Sequence, residues 1–154
     1  MMAIDMKSTS RGTVGELLTA AKLLSLGIDV AKPYSDCVGV DLVAVSNDFG
    51  RAVPIQVKTA MSERQISFER SWFPNPGIVL VWVWPFEGKY FVFDGQVEVE
   101  RFLGGSASTT SWQRDGRWDI SSAKFGPSHM DRLRDFENAW NKISTRLTSA
   151  GVVP

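Results

Sequence analysis

The chain has 154 residues, of which 44% are hydrophobic and 22% are charged, values typical of a globular protein and not of a disordered one. Its 17 lysines and arginines balance 17 aspartates and glutamates, so net charge gives no support for nucleic-acid binding and any basic surface must be local. The single cysteine, Cys37, excludes an intramolecular disulfide framework and a multi-cysteine zinc site. The length predicts one domain over residues 1–154.

The N-terminal region predicts a flexible leader, residues 1–9, followed by a helix. The helix is expected to begin near Ser10 to Thr13 and to end at Gly27. Its apolar residues recur at helical spacing and predict one buried face: Val14, Leu17, Leu18, Ala21 and Leu24. No apolar run approaches the roughly 18 to 20 residues that cross a bilayer, and no signal-peptide segment is present. These features predict a cytoplasmic protein without membrane association.

A β-hairpin follows a short strand predicted at residues 28–32. Two apolar runs, residues 40–46 and 52–58, flank Asn47-Asp48-Phe49-Gly50, a turn-forming group typical of an antiparallel hairpin. With this turn as the pivot, Asp41 lies opposite Gln56, and Lys58 projects from the same face as Gln56. Three polar groups on one patch of an otherwise apolar hairpin are costly to bury without partners. A divalent metal beside a phosphate would satisfy all three.

Pro54 complicates this prediction because it lies within the second strand and cannot donate a ladder hydrogen bond. It requires a strand start, a bulge or an outward-facing position. A bulge would shift the register by one residue and move Asp41 away from Gln56. The shared face of Gln56 and Lys58 would not change.

The rest of the chain predicts two further long strands and several shorter elements. Residues 78–84 are apolar at every position, as in a strand covered on both faces, and residues 89–94 run back beside them. Residues 96–103 predict a short helix, 104–110 a mobile loop, and 118–120 a short strand. The last helix is expected to begin near Ser128, and its apolar residues share one face: Met130, Leu133, Phe136, Trp140, Ile143 and Leu147. The order α-β-β-β, then β-β-α, predicts an α/β domain with a mixed central β-sheet flanked by helices.

Three of these segments together resemble the PD-(D/E)XK nuclease superfamily. They are a helix bearing Gly15-Glu16, a strand opened by Gly39-Val40-Asp41, and a strand closed by Ile55-Gln56-Val57-Lys58. The resemblance is strongest to the small archaeal Holliday-junction resolvases and covers about residues 10 to 60. It implies a restriction-endonuclease-like fold and a metal-dependent endonuclease that hydrolyses DNA phosphodiester bonds with Mg²⁺ or Mn²⁺. It also implies a homodimer, since two strands must be cut.

The resemblance assigns a role to five positions. It makes Asp41 the metal-binding acid, Gln56 the occupant of the second acidic position and Lys58 the catalytic lysine that activates water. Glu16 becomes the helix-borne acid of the resolvase-like branch, and the carbonyl of Val57 completes the metal shell. This chain is a QxK variant, because Gln56 stands where Glu or Asp is usual; an amide oxygen binds a hard cation without formal charge, so metal affinity falls unless Glu16 compensates. Val40 stands where the motif name has proline.

Alternatives remain open for the individual residues and for the whole chain. Glu16 is three residues after Thr13 and also fits a helix capping box, and Lys58 fits an edge-strand lysine that opposes aggregation. Gln56 and the zero net charge favour a catalytically inactive relative acting as a nucleic-acid-binding or protein-interaction module. A third interpretation is a small structural subunit that assembles through aromatic surface.

Other chemically capable residues are assigned mainly structural roles. His129 is predicted to cap a helix or lie on the surface, and Cys37 to be a small loop or core residue. Among the tryptophans, Trp72 and Trp112 lie in predicted loops and are candidates for ligand contact. Nearby arginines form a candidate basic rim for phosphates: Arg64, Arg70, Arg114 and Arg117.

Overall fold

A computed structural model describes residues 7–35, 39–60, 65–108, 111–121 and 126–149. Its helices and strands are, in chain order, α1 (Ser8–Ser25), β1 (Asp29–Ala31), β2 (Leu42–Val45), β3 (Ala52–Thr59), β4 (Gln65–Glu69), β5 (Val79–Trp84), β6 (Lys89–Phe93), α2 (Gln96–Leu103), β7 (Arg117–Ser121), α3 (Pro127–Leu133) and α4 (Asn141–Thr148). Five strands form a sheet in the order β1-β2-β3-β5-β6, and β4 pairs with β7 in a second, two-stranded sheet. Only β3 and β5 pair in parallel within the five-stranded sheet. The predicted α/β class with a mixed central sheet flanked by helices is confirmed.

The strand β5 lies between β3 and β6, and all six of its residues are buried. Its alternate side chains enter two separate cores, because successive residues of a strand point to opposite faces. Val79, Val81 and Val83 pack with residues of α1 and α4. Leu80, Trp82 and Trp84 pack on the other face with aromatic residues of β6, α2 and the small sheet. The apolar run at residues 78–84 therefore fills both faces of the sheet, as predicted.

The helix α1 packs on β3 through small residues, which corrects the predicted apolar face. Its buried residues are Gly15, Thr19 and Leu23, whereas Leu17 is 65% exposed and Leu24 is 55% exposed. A Cβ at position 15 would clash with Thr59 Oγ1, so only glycine allows the backbones to approach this closely. The close approach selects the glycine side of the helix and turns two of the predicted core leucines outward. The helix also begins at Ser8, inside the predicted leader, of which residues 1–6 lie outside the described ranges.

The hairpin register is the one predicted from its turn. Leu42 pairs with Ile55, Val43 with Pro54 and Val45 with Ala52, without a one-residue shift. The Ser46 N–H donates to the Arg51 carbonyl at 3.0 Å, so counting along the ladder places Val43 and Pro54 at a non-hydrogen-bonded pair. Pairing of β3 with β5 begins only at Ile55. The missing N–H of Pro54 therefore removes no ladder bond, and no bulge is needed at Pro54. The regular pairing ends at Leu42, because the N–H of the preceding residue, Asp41, also donates to the carbonyl of Ile55, the pairing partner of Leu42.

The closing segment forms two helices, not the single helix predicted from its apolar spacing. Between α3 and α4 the chain pairs with the edge of β6: the Val92 N–H donates to the Phe136 carbonyl at 2.8 Å, and the Asn138 N–H donates to the Tyr90 carbonyl at 2.9 Å. Asn138, between the two helices, has a φ of 53°, a left-handed conformation that a continuous α-helix does not contain. Tertiary hydrogen bonds to an open sheet edge thus outweigh the continuous helical pattern.

The structure differs from the prediction at residues 104–108 and agrees with it at residues 118–120. Residues 104–108 form a 3₁₀ helix where a mobile loop was predicted, and residues 109–110 lie outside the described ranges. The predicted strand at residues 118–120 is present within β7. None of the helices in the described ranges is both long enough and apolar enough to cross a membrane.

Candidate active site

Asp41 lies one residue before β2 and turns its carboxylate toward β3. Its N–H donates to the Ile55 carbonyl at 2.8 Å, which fixes its backbone against the neighbouring strand. Oδ2 accepts two hydrogen bonds, one from the Val57 N–H at 2.7 Å and one from the side-chain amide of Gln56. The predicted contact between Asp41 and Gln56 is therefore present, and a backbone amide adds to it.

Gln56 and Lys58 project from the same face of β3, as their spacing predicts. Gln56 is 5% exposed, and its amide nitrogen is turned toward Asp41. Lys58 is half-buried, and its Nζ lies 5.0 Å from the centroid of the Trp72 ring. An ammonium at this distance from an indole face is attracted by the negative face of the ring. The structure therefore brings Asp41, Gln56 and Lys58 to one end of the sheet.

Burial raises the pKa of the Asp41 carboxyl above its ordinary value of 3.8, because desolvation penalises the charged form. The hydrogen bond from the Val57 N–H, the positive charge of Lys58 and the hydrogen bond from Gln56 all act in the opposite direction. Repulsion from Glu16 adds to the upward shift. The charges of Glu16 and Lys58 therefore both reach Asp41, and the carboxyl is held in a site that makes its negative charge costly.

Glu16 is directed toward a lysine that the sequence did not identify. Its carboxylate accepts a hydrogen bond from Lys32, the residue that follows β1. The capping-box interpretation of Glu16 is wrong, because α1 begins at Ser8 and Thr13 donates to the Thr9 carbonyl at 3.0 Å instead. Glu16 is thus in the body of the helix, one residue after the glycine that brings α1 against β3.

The oxygen donors at this end of the sheet are those that a hard divalent cation prefers. Asp41 and Glu16 carry carboxylates, Gln56 carries an amide oxygen, and Val57 has a backbone carbonyl. Oδ1 of Asp41 accepts no hydrogen bond from the described residues. The donor set therefore fits Mg²⁺ or Mn²⁺ chemically, with Asp41 as its centre.

The same donors carry less negative charge than a divalent cation site usually provides. The two acids among them are Asp41 and Glu16, and among the described residues no group of three acidic, histidine or cysteine side chains could hold a metal. Each acid also has a lysine near it, Lys58 and Lys32 respectively. The charges of the two acids and the two lysines balance, so a metal cation has to compete with the lysines for the two carboxylates.

The two loop tryptophans have different environments. Trp72 is half-buried beside Lys58 and Phe68. Trp112 is fully buried, and its Nε1 donates to Glu100 at 3.1 Å. The prediction that Trp112 contacts a ligand is therefore wrong, because its ring is buried in the core.

The candidate basic rim is largely neutralised by acidic neighbours. Arg114 pairs with Asp115 at 2.7 Å, and Arg117 pairs with Asp119 at 2.7 Å. Arg70 donates to the Gln113 carbonyl at 3.3 Å. Arg64 lies outside the described residues, as does Cys37. The three described arginines do not form an unpaired basic surface of the kind expected for phosphates.

His129 has the predicted capping role. Its Nδ1 accepts a hydrogen bond from the Gly126 N–H at 3.3 Å at the start of α3. Burial, followed by the positive charge of Arg132, lowers the pKa of His129, which favours the neutral ring that can accept this bond.

Two residues near the candidate site were missed or incompletely assigned from the sequence. The sequence predicts Lys32 at the end of a short strand and does not predict its ion pair with Glu16. In the structure β1 pairs antiparallel with β2, so that Ala31 lies opposite Val43. Extending that register by one residue brings Lys32 to the start of β2, beside Asp41, so strand pairing was the available signal. The contact of Trp72 with Lys58 had no such signal, because it depends on how the small sheet packs on the large one.

Comparisons with known proteins identify the fold. No family model and no curated relative matches the chain. Among solved structures, the chain is similar to a bacterial homing endonuclease, I-Ssp6803I, with a TM-score of 0.58 and 17% sequence identity. The similarity covers 89% of this chain and 91% of that chain. The mixed sheet with its flanking helices is therefore a nuclease-like fold, shared over almost the full length of both proteins.

Proposed function

We propose that this protein is a metal-dependent endonuclease of the PD-(D/E)XK type that hydrolyses DNA phosphodiester bonds. The observation that carries the proposal is the convergence of Asp41, Gln56 and Lys58 at one end of a sheet whose fold is nuclease-like. A hairpin needs none of these polar groups for its stability, and burial makes the Asp41 charge costly. A group of an acid, an amide and an ammonium that lowers the stability of the fold is typical of a catalytic site.

Each residue has a role that follows from its chemistry. Asp41 and Glu16 would hold Mg²⁺ or Mn²⁺ together with the Gln56 amide oxygen and the Val57 carbonyl. When bound, such a cation supplies charge neutralisation at a phosphate oxygen and lowers the pKa of a bound water. The Lys58 ammonium donates hydrogen bonds to the attacking water or to a phosphate oxygen and stabilises negative charge that develops there.

Backbone hydrogen bonds hold the acid in position before any ligand arrives. The Val57 N–H fixes one oxygen of Asp41, and the Asp41 N–H is bonded to the Ile55 carbonyl. Such preorganisation reduces the reorganisation needed in the transition state. The antiparallel pair β2–β3 is the scaffold, and the hydrogen bonds of Asp41 to Ile55, Gln56 and Val57 fix the acid against β3.

The experiment is a cleavage assay with supercoiled plasmid and branched DNA in Mg²⁺ or Mn²⁺. Wild-type protein is expected to cleave, and Lys58→Ala is expected to lower the rate by a factor on the order of 10² to 10³, comparable to removing one preorganised donor. Lys22→Ala is the matched control, since Lys22 is a lysine in the last turn of α1. Absence of cleavage by the wild type, or equal cleavage by the Lys58 variant, contradicts the proposal.

A second candidate function is DNA binding without catalysis. It is favoured by the contact of the Gln56 amide with Asp41, which satisfies the acid internally, and by the lysine beside each carboxylate. A binding titration separates the two functions. The binding module requires affinity that falls steeply with salt and does not depend on divalent metal, whereas the nuclease requires metal-dependent cleavage.

A further inference from the structure

Lys58 lies against an aromatic ring that belongs to a different part of the fold. Trp72 ends the 3₁₀ turn Arg70–Trp72, which connects β4 with the loop before β5. The Lys58 Nζ is 5.0 Å from the centroid of its ring. Lys58 is on β3, so the two residues meet only because the small sheet packs on the face of the large sheet that carries Gln56 and Lys58.

The position of the Trp72 ring is fixed from its own side. It packs against the aromatic core, with its centroid 6.0 Å from that of Phe68. The turn that carries it is tied to the loop before β7 by the Arg70 N–H, which donates to the Gly116 carbonyl at 2.7 Å. The Phe73 N–H closes the turn on the Arg70 carbonyl at 3.1 Å. The indole is therefore a fixed surface, whereas the lysine side chain is long and flexible.

We propose that Trp72 is a positioning residue for Lys58, and that its indole face holds the ammonium at the end of the sheet where Gln56 bonds to Asp41. A free lysine loses side-chain entropy when its charge is held in one place, and an aromatic face offsets part of this loss without accepting a proton or cancelling the charge. A carboxylate in the same place would neutralise the ammonium. The ring thus fixes the cation and leaves its donors available for a phosphate or a water.

The catalytic consequence of this proposal rests on the proposed nuclease function, but the contact itself is tested without activity. Selective ¹³C labelling of lysine lets NMR report the two ε protons of Lys58. In the wild type they are expected to be shifted upfield by the indole ring current and to differ from each other, because the side chain is held in one orientation. Trp72→Leu, which keeps apolar bulk against Phe68, is expected to abolish both effects. Unchanged ε-proton shifts in Trp72→Leu would overturn the proposal.

Trp72→Phe provides a conservative variant that keeps an aromatic face. It is expected to retain a reduced upfield shift, and it keeps the proposal testable if the leucine variant does not fold. Phe86→Leu is the control, because Phe86 is 76% exposed in the turn between β5 and β6. That variant should leave the Lys58 shifts unchanged. A phenylalanine variant whose Lys58 protons resemble those of free lysine would also count against the proposal.

The cleavage assay separates positioning from direct DNA contact. If Trp72 positions Lys58, Trp72→Leu lowers kcat by about tenfold with KM unchanged, and Trp72→Phe restores most of it. If the ring stacks on a nucleobase instead, KM rises and kcat is retained, which would overturn the proposal. If the wild type does not cleave at all, the proposed function fails, while the NMR result still decides whether Trp72 holds Lys58.

Discussion

The side-chain amide of Gln56 donates a hydrogen bond to Asp41 Oδ2, the same oxygen that accepts the Val57 N–H. An acid at position 56 would face that oxygen with a second negative charge. The glutamine therefore satisfies Asp41 within the protein, where a carboxylate at the same position would repel it. If the proposed metal site is correct, Gln56 favours stability of the metal-free protein over affinity for a metal.

Gln56→Glu is expected to raise the affinity for Mn²⁺ by about tenfold or more and to destabilise the metal-free protein. Two adjacent carboxylates repel each other, and a divalent cation relieves the repulsion. Isothermal titration with Mn²⁺ measures the affinity, and thermal unfolding with and without Mn²⁺ measures the stability.

Gln96→Glu is the matched control for this prediction. The Gln96 amide donates to Glu100 at 3.0 Å on α2, so the variant also places two carboxylates opposite each other, but away from Asp41. It should lower stability slightly without making stability depend on metal. Equal metal responses of the two variants would contradict a metal site at Asp41.

Lys32→Gln is expected to raise the affinity for Mn²⁺ two- to fivefold. Lys32 neutralises Glu16 and places a positive charge near the site, and both effects oppose cation binding. Because Lys32 is 63% exposed, solvent screens the pair and the effect should stay small. Titration at low and high salt is the measurement, with Lys22→Gln on α1 as the control. A fall in affinity would show that Lys32 supports the site.

Asp41→Asn is expected to raise the melting temperature of the metal-free protein at neutral pH by roughly 2 to 4 °C. Burial raises the pKa of the Asp41 carboxyl in the folded protein, so this carboxyl ionises at a lower pH in the unfolded chain than in the folded one. The stability contributed by the protonated group is fully present below its unfolded pKa and is lost as pH rises through the folded pKa. The gain from asparagine should therefore be small near pH 4 and grow toward pH 7, as followed by urea unfolding.

Asp48→Asn gives the opposite sign and serves as the control. A hydrogen bond from the Ser46 hydroxyl, followed by one from the Gly50 N–H, lowers the pKa of Asp48. Its stabilising contribution is present above the unfolded pKa and is lost as pH falls, so the asparagine variant should be less stable at neutral pH. A loss of stability in both variants would show that the Asp41 charge is not costly.

Thr19→Val is expected to stabilise the protein by about 1 kcal/mol. Thr19 is fully buried between α1 and the sheet, and its hydroxyl has no hydrogen-bond partner among the described residues. Valine has a similar shape and removes the desolvated hydroxyl. Urea unfolding measures the difference, and Thr13→Val, on the exposed side of the same helix, should change stability by less than about 0.5 kcal/mol. Destabilisation by Thr19→Val would indicate that the hydroxyl is satisfied.

The amino-acid sequence determined those features that depend on neighbours along the chain. The turn Asn47-Asp48-Phe49-Gly50 set the hairpin register, and this register brought Asp41, one residue before β2, close enough to Gln56 for their side chains to hydrogen-bond. The two-residue spacing of Gln56 and Lys58 set their common face. The uniformly apolar run at residues 78–84 predicted a strand covered on both sides. Each of these inferences uses strand geometry over a few residues, which local sequence controls.

Only the tertiary structure decided which surfaces meet. The side of α1 that is buried was set by the close approach of Gly15 to β3, although Leu17 and Leu24 gave the stronger apolar signal. The split of the closing helix was set by the free edge of β6. The contacts of Lys32 with Glu16 and of Trp72 with Lys58 join elements distant in sequence. Such contacts are selected by how closely two elements can pack and by which backbone groups at a sheet edge still lack a partner. Both conditions arise only once the whole fold has formed.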